Sequence, residues 1–422
     1  MIESGITNVG QLAFEGCSNL ESINIPESVT AIYANIFVDC NSLSNIEIDN
    51  NNEYCVDERG VLYNKDKTNL ICYPAGKKED EFVIPSSVTK IIEYAFDGCA
   101  NLVGIEMSEN ISRIEYNTFS GCSRLKQINI PRGVTSIAGR AFSGCSSLES
   151  VEIPDTVTDI GPYAFCACSN LKSIKIPEDM VKIDSCAFES CENLTSIKIP
   201  YGLTDLKFGA FRGCTRLNTI ILSETVTNIE SEAIPSSTII YTKVNSEAHK
   251  YAEESQQGYI IDDEAPTVTF DPIGNESTQK QHSTKITIKD NMVGINEEKL
   301  KYQWTQNEET PTKESFAQNL KNEQTITKDT GDGNWYLWIY AEDKVGNVTI
   351  TRSNAFNFDN TPPVTNVEYS TTQPTIENVI ATIKSNEPIQ EVDGWKLSED
   401  KMSLIKEYEN NTTANGEIIE IK

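Results

Sequence analysis

A cysteine recurs every 23 residues through the first half of this chain. The positions that keep this step are Cys17 and Cys40 and then, after one longer interval, Cys99, Cys122, Cys145, Cys168, Cys191 and Cys214. A leucine follows each of these cysteines by three residues, and alternating apolar residues follow the leucine. Self-similarity at a period of 20–50 residues indicates a stacked array in which each unit buries its apolar face against its neighbours. The period therefore predicts a solenoid.

The segment after each leucine predicts one strand per repeat. In the repeat that contains Leu171, Ile174 and Ile176 the apolar residues alternate, as a half-buried strand requires. Most of these segments end at a proline, which lacks the N–H that would extend a ladder. We predict a ribbon of nine stacked parallel strands. The intervening segments, such as the one with Val157 and Phe165, are expected to return as loops or short helical turns.

Residues 50–80 interrupt the period and contain three short apolar runs, which predict a three-strand insertion. Cys55 and Cys72 lie in this insertion, and the sequence does not decide whether they form a disulfide bond. The eight periodic cysteines are predicted to be buried thiols, because parallel side chains ~4.8 Å apart on adjacent strands do not reach disulfide geometry. After Leu222 the array is predicted to end, and a short helix within 241–261 caps it.

The composition changes at Asp262, where the first domain, 1–262, is predicted to end. Cysteine disappears beyond this point and all four tryptophans follow it. Short alternating segments separated by turn clusters predict a β-sandwich over 263–360. A second module is predicted over 361–422, and we expect it to be truncated because it is shorter than the first. The fold class is β-rich and multidomain.

Two parts of the sequence resemble known families. The phrase I-P-x-x-V-T-x-I-x-x-x-A-F-x-G-C-x-x-L-x-x-I resembles the BspA-like (Treponema-type) leucine-rich repeats over residues 1–262. The runs Ala341–Asn347 and Phe358–Pro363 resemble bacterial immunoglobulin-like modules. These resemblances imply a non-enzymatic surface or secreted binding protein with an adhesion-type role. They also imply a secreted or cell-wall location and a protein or glycan ligand on a host or neighbouring cell.

The charge of the chain disfavours two classes of partner. It has 63 acidic and 35 basic residues and a net charge of −28. Such a chain repels phosphate backbones and anionic lipid, so we expect neither nucleic-acid nor membrane-surface binding. No apolar run reaches the ~18 residues of a membrane helix, and no signal peptide or anchor is visible. The chain opens late in a repeat, so we expect it to begin inside the array, and whether it is a fragment of a longer surface protein stays open. We expect it to be monomeric.

The sequence offers little catalytic chemistry. Its two histidines, His249 and His282, fall in different predicted domains, and no nucleophile or phosphate-binding motif occurs. We predict no enzymatic activity and no cofactor. Asp290 with Gly294, and Asp343 with Asn347, carry oxygen ligands suited to calcium, but hairpin turns use the same residues. We predict plain turns there and no metal site.

The candidate binding site is the open, concave face of the strand ribbon. Each strand presents two polar side chains there, between its buried positions. The candidate ligand-binding residues are Asn24, Glu47, Glu106, Asn129, Glu152, Ser173, Lys175, Ser196 and Lys198. Glutamates precede lysines along this series, which predicts a change of sign along the ribbon. The alternative is a solvated face on a structural spacer or stalk that has no ligand of its own.

Overall fold

A computed structural model of the chain describes residues 2–370 and 378–409. The chain divides into two compact units. The first comprises the chain up to Thr267 together with Ile288–Lys299 and Ala341–Thr349. The second comprises Val268–Thr287, Leu300–Tyr340 and the chain from Ile350 onward. The predicted domain boundaries after Asp262 and Asn360 stay predictions.

The first unit is a β-solenoid of about 11 turns. Its first ribbon consists of parallel strands in register, so that residues 23 apart face one another; Val151 pairs with Ile174, and Ile174 with Ile197. The predicted parallel strands are therefore confirmed. The strands of this ribbon in the described chain are Ser22–Ile25, Asn45–Ile48, Glu81–Val83, Gly104–Glu106, Gln127–Ile128, Ser150–Glu152, Ser173–Lys175, Ser196–Lys198, Thr219–Ile221, Ile239–Thr242 and Tyr259–Ile261.

The array continues beyond its predicted end. Ile239–Thr242 pairs in parallel with Thr219–Ile221, and Tyr259–Ile261 pairs in parallel with Ile239–Thr242. The prediction that the array ends after Leu222 was wrong. Backbone pairing needs only an extended chain, and these last strands, rich in isoleucine and tyrosine, pair in register after the cysteine and leucine have gone.

All turns but the last also contribute a short second strand on the return segment, and the last turn has a helix there instead. These strands pair in parallel as well; Ser136–Ile137, for example, lies between Arg113–Ile114 and Asp159–Ile160. The expected loops and turns make up the rest of each return segment. The two-residue strand within it was not predicted, because two residues are too short to show alternation. The other strands of this second ribbon are Asn8–Val9, Ala31–Ile32, Lys90–Ile91, Lys182–Ile183, Asp205–Leu206 and Asn228–Ile229.

A column of phenylalanines fills the space between the two ribbons. The rings of Phe119 and Phe142 stack with centroids 5.3 Å apart, and those of Phe142 and Phe165 stack at 5.2 Å. The stack extends from Phe96 to Phe211, and these rings are fully buried. Because each ring contacts the equivalent ring of the next turn, the core is a continuous stack.

The residue before most of the periodic cysteines has a left-handed backbone. Gly144 has φ +77°, and the equivalent Gly121 has φ +70°. Glycine enters this region without steric cost, which explains the recurrent Gly-Cys phrase. Where Ala167 and Ser190 replace it, φ is still +58°.

All twelve cysteines carry free thiols, and seven of the eight periodic ones are buried. Cys17 is exposed, so the prediction of a buried thiol was wrong for this residue alone. It lies in the first described turn. Cys55 and Cys72 are also unbridged.

The insertion forms the predicted three-strand meander. Cys55–Glu58 and Val61–Asn64 are antiparallel, and Asn69–Cys72 pairs with Val61–Asn64. Asn69–Cys72 also pairs in parallel with Lys90–Ile91, so the last strand of the insertion enters the second ribbon. Tyr73 then stacks on Phe96 at 5.3 Å. A tyrosine thus takes the place of phenylalanine at the start of the column that runs to Phe211.

The predicted short helix is present as Glu247–Glu254, between the last two strands of the first ribbon. The hydroxyl of Ser246 caps it by accepting a hydrogen bond from the backbone N–H of His249. Ala248 and Ala252 are buried against the core. The helix therefore closes the apolar interior at this end of the described solenoid.

The rest of the chain forms three further sheets. His282 on the first of them packs edge-on against Phe358 on the second, with centroids 4.8 Å apart, so these two sheets face each other. Their resemblance to an immunoglobulin-like sandwich stays a prediction. The first sheet contains Thr267–Asp271, His282–Lys289 and Thr325–Lys328. The second sheet contains Asn275–Gln279, Lys301–Thr305, Gln318–Asn319, Gly333–Glu342, Val348–Arg352 and Phe356–Phe358. The third sheet contains Thr365–Tyr369, Val379–Ser385, Lys396–Leu397 and Ser403–Tyr408. Two 3-10 helices are Glu297–Lys299 and Lys313–Ser315.

Candidate functional site

The nine predicted site residues lie along one face of the first ribbon. Glu152 pairs with Lys175, and Lys175 pairs with Lys198, so their side chains form a column across successive turns. Asn129 joins this column through an isolated bridge to Glu152. All nine are exposed except Asn24, which is half-buried. The parallel register thus brings together residues that are 23 positions apart in the sequence.

A groove runs over this face. One depression of about 480 Å³ is lined by Glu81, Glu106, Gln127, Asn129 and Glu152, among others. A second, of about 590 Å³, is lined by Glu109, Asn129, Arg132, Glu152, Asp155 and Lys175, among others. The two depressions share Asn129 and Glu152. We call their combined lining the ribbon groove.

A further depression lies on the same face at later turns. Its volume is about 360 Å³, and its lining is more apolar, with Ile197, Ile199, Tyr201 and Ile221. Ile295 and Glu298, from the segment Ile288–Lys299 of the same compact unit, complete it. The ammonium group of Lys299 lies 4.7 Å from the ring centroid of Tyr201.

The two lysines of the candidate site are ion-paired. Lys175 Nζ donates to Asp155 Oδ1 over 2.9 Å, and this hydrogen bond raises the pKa of Lys175. Lys198 Nζ lies 2.5 Å from Glu178 Oε1 and 2.9 Å from Glu298 Oε1. The predicted change of sign along the ribbon is therefore largely cancelled, because each lysine is matched by a carboxylate in the turn beside it.

The glutamates of the ribbon groove have no such compensation. Among the residues the structure describes, neither Glu106 nor Glu152 forms an ion pair, and the same is true of Glu81. All three glutamates line the first depression, from three of the four successive strands that form it. This part of the groove is therefore acidic and offers carboxylate and amide oxygens to a ligand.

One wall of the groove was missed by reasoning from the sequence. Glu109, Arg132, Asp155 and Glu178 follow the ends of successive strands and are also 23 residues apart. They form a second column beside the predicted one, and Asp155 and Glu178 from this column bind the lysines. These residues could have been predicted by following the 23-residue repeat into the segment just after each strand.

The site has the features of a binding surface. Its lining consists of carboxylates, amides, one ion-paired lysine and one arginine, with apolar strand residues beneath. The two histidines lie elsewhere. His249 accepts a hydrogen bond at Nδ1 from the backbone of Asn245, and His282 Nε2 lies 2.8 Å from the backbone oxygen of Asn357.

Comparison with protein families agrees with the repeat geometry. The BspA type leucine-rich repeat region matches residues 1–64, 72–161 and 136–257, in six copies, and these stretches cover more than half of the chain. The chain belongs to this family. The break between the first two stretches falls in the insertion, where the family's 23-residue step is lost.

Several solved structures of bacterial proteins are similar to this chain. A leucine-rich repeat protein from Eubacterium ventriosum is 31% identical over 55% of this chain and 62% of its own, with a TM-score of 0.48. A leucine-rich cell surface protein from Faecalibacterium prausnitzii is 32% identical over 47% of this chain and 58% of its own, with a TM-score of 0.44. The pneumococcal vaccine antigen PcpA is 23% identical over 57% of this chain and 56% of its own, with a TM-score of 0.41. The match spans less than two thirds of each of these proteins.

Comparison with curated proteins gives no significant match. None of the helices in the described part of the chain has the length and apolar character that crossing a membrane requires.

Proposed function

We propose that this protein is a non-enzymatic binding protein, secreted or on the bacterial cell surface, that holds a ligand in the ribbon groove. The observation that carries the proposal is the continuity of the groove over successive turns, with polar side chains repeated at equivalent positions. Such a surface suits an extended ligand, which makes similar contacts with each turn. Membership of the BspA-type family supports an adhesion-type role at the cell surface.

The chemistry of the groove favours a protein ligand with basic residues. Glu81, Glu106 and Glu152 form no ion pairs among the described residues, so lysine or arginine side chains of a ligand could pair with them. Gln127 and Asn129 add donors and acceptors that suit a peptide backbone or the hydroxyls of a glycan. A basic protein segment can contact both the carboxylates and the amides, whereas a neutral glycan contacts only the amides.

A charge-reversal experiment tests this assignment. The double variant Glu106→Lys/Glu152→Lys changes two exposed groove positions on short strands. The matched control is Glu93→Lys/Glu192→Lys, which makes the same change of net charge at exposed positions outside the groove lining. All forms are screened by surface plasmon resonance against a panel of extracellular-matrix proteins, and on a glycan array.

We expect the wild type and the control to bind the same protein of the panel, with affinity falling as salt increases. The groove variant should lose at least about tenfold in affinity, because attraction becomes repulsion at two positions. Equal binding by the groove variant would place the site elsewhere. A screen without any binder would instead favour the spacer, with the groove as a solvated face.

A further inference from the structure

Three aspartates from distant parts of the sequence converge in the first compact unit. Asp262, Asp290 and Asp343 each offer one carboxylate oxygen, and these atoms all lie within 4.8 Å of one another. Asp262 and Asp343 are buried, and Asp290 is half-buried. Each follows the end of a strand, namely Tyr259–Ile261, His282–Lys289 and Gly333–Glu342. All three aspartates belong to the same compact unit.

Backbone hydrogen bonds hold two of these carboxylates in place. Asp290 Oδ1 accepts from the N–H groups of Met292 and Gly294, at 3.0 and 2.6 Å. Asp343 Oδ1 accepts from the three N–H groups of residues 345–347, at 2.7 to 2.9 Å. The turns predicted from the sequence are therefore formed, and each uses Oδ1 of its aspartate. A turn and a ligand role are compatible, since each carboxylate has a second oxygen.

The observation that points to a ligand is the second oxygen of Asp262. This side chain is 1% exposed, and Oδ2 has no hydrogen-bond partner among the described residues. Buried polar atoms are almost always paired, and an unpaired one is costly. None of the three aspartates forms an ion pair with a described lysine or arginine. Three carboxylates this close also repel each other, because burial weakens the screening by water.

We propose that Asp262, Asp290 and Asp343 bind a calcium ion. The ligand set is oxygen only and anionic, which suits a hard divalent cation and disfavours zinc or copper. Calcium accepts six to eight oxygens in flexible geometry, and carboxylates, backbone carbonyls and water can share its coordination shell. Magnesium demands near-octahedral geometry and keeps most of its water, which fits a largely buried site less well.

The ion would fasten the last turn of the solenoid to the two segments that return to it. Asn347 Nδ2 already donates to the backbone oxygen of Asp262 over 2.7 Å and to Asp343 Oδ2 over 2.8 Å. The backbone N–H of Lys344 donates to Gly294 over 3.1 Å. These bonds hold the carboxylates together before any ion arrives, so calcium binding needs little rearrangement.

Calcium titration of the full chain after EDTA treatment and dialysis tests the site. Isothermal titration calorimetry with CaCl2 should show one tight site per chain above the weak binding expected of an acidic protein, and native mass spectrometry should count one ion. Calcium should also raise the midpoint of thermal unfolding, because it binds only the folded form.

Two ligand variants and a matched control complete the test. Asp262→Asn and Asp290→Asn keep the size of the side chain and Oδ1, and each removes one charge from the cluster. Each should weaken the tight site by about tenfold or more, since even partners outside the ligand shell change metal affinity 10–100-fold. Asp66→Asn is the control, because Asp66 accepts only local hydrogen bonds from Thr68 in an exposed turn.

Asp290 is half-buried, so Asp290→Asn gives a folded variant even where Asp262→Asn is unstable; far-ultraviolet circular dichroism verifies folding. Three results would each overturn the proposal: no tight site in the wild-type chain, unchanged calcium affinity in folded Asp290→Asn, or equally strong binding of magnesium.

Discussion

Cys145 Sγ lies 3.2 Å from the backbone oxygen of Phe119, 26 residues earlier in the chain, and donates a hydrogen bond to it. The same contact joins Cys122 to Phe96 and Cys168 to Phe142, both at 3.2 Å. A thiol is a weak donor, but the oxygen it reaches is buried between two turns. Each of these carbonyls also accepts a backbone N–H of its own turn, so the thiol is a second donor that links the carbonyl to the next turn. Leucine or alanine could not make this link.

We predict that Cys145→Ala lowers the free energy of unfolding by about 0.5–1.5 kcal/mol, because the buried Phe119 carbonyl loses the thiol donor and keeps only the backbone N–H of Cys122. Cys17→Ala, at an exposed thiol, is the control and should change stability by less than about 0.5 kcal/mol. Urea unfolding followed by far-ultraviolet circular dichroism measures both. Equal effects at the two positions would show that the thiol contact contributes nothing.

Phe142 lies between two stacked rings and is completely buried. Phe142→Ala should cost about 3–5 kcal/mol, as expected for a large cavity in a tightly packed core. Phe14 is half-buried and stacks with Phe37 at 5.6 Å, so Phe14→Ala should cost clearly less. The midpoint of thermal unfolding by circular dichroism ranks the variants, and the reverse order would contradict the core column as the main source of stability.

Asp97 should destabilise the solenoid at neutral pH. Burial raises its pKa from 3.8 to about 6 in the folded protein, and Asp39 adds to this shift. Because the folded pKa is the higher one, the favourable contribution is complete below pH 3.8 and is lost as the pH rises through 6. Asp97→Asn should therefore gain about 1–3 kcal/mol at pH 7.5.

The gain should shrink as the pH falls from 6 to 4, where aspartate becomes protonated in the folded protein. Asp179→Asn, at an exposed position of the same solenoid, is the control for the loss of one carboxylate. Urea midpoints of both variants between pH 4 and 8 provide the measurement. A constant difference between Asp97→Asn and the wild type over this range would refute the assigned cause.

Asn52 attaches the insertion to the preceding solenoid turn. Its amide nitrogen donates to Pro26 and Val29 at 2.9 and 3.0 Å, and its amide oxygen accepts from Tyr54 and Cys55 at 2.8 and 3.0 Å. The residue is completely buried. Asn52→Ala removes four hydrogen bonds from a buried site, while the oxygen of Pro26 keeps the backbone N–H of Val29, and it should cost about 2–4 kcal/mol.

The neighbouring Asn51 provides the matched comparison, since it is exposed. Asn51→Ala should stay within about 0.5 kcal/mol of the wild type in urea unfolding. Similar losses for the two alanine variants would mean that the buried amide is not what holds the insertion.

The repeat could be predicted in detail because its signal is local and repeated. Leu171, Ile174 and Ile176 alternate within one strand, and the same pattern recurs in each unit, so the parallel register follows from the period. The short strands of the second ribbon gave no such signal, since two residues cannot show alternation. The last two strands of the first ribbon were missed because the cysteine and leucine that mark the other repeats are absent there.

The candidate site was predictable only in part. The exposed column with Glu152 and Lys175 follows from the alternation of the strand, and the structure places these residues side by side. The partners of the lysines were not predicted, because Asp155 lies in the turn beyond the preceding strand and pairs across turns. An ion pair depends on the separation of two charges in space, and the strand pattern says nothing about the loops that bring them together.

The amino-acid sequence by itself determined the solenoid, the direction in which each strand residue faces and the acidity of the protein. The solenoid and the strand faces follow from the pattern of residues within one 23-residue repeat, and the acidity follows from the composition. Only the tertiary structure decided that Lys198 meets Glu298, 100 residues away, and that Asp262, Asp290 and Asp343 converge. No period links these residues. These contacts arise because the later segments Ile288–Lys299 and Ala341–Thr349 pack with the solenoid in one compact unit. Charges that come within a few ångströms of each other interact whatever their separation in sequence.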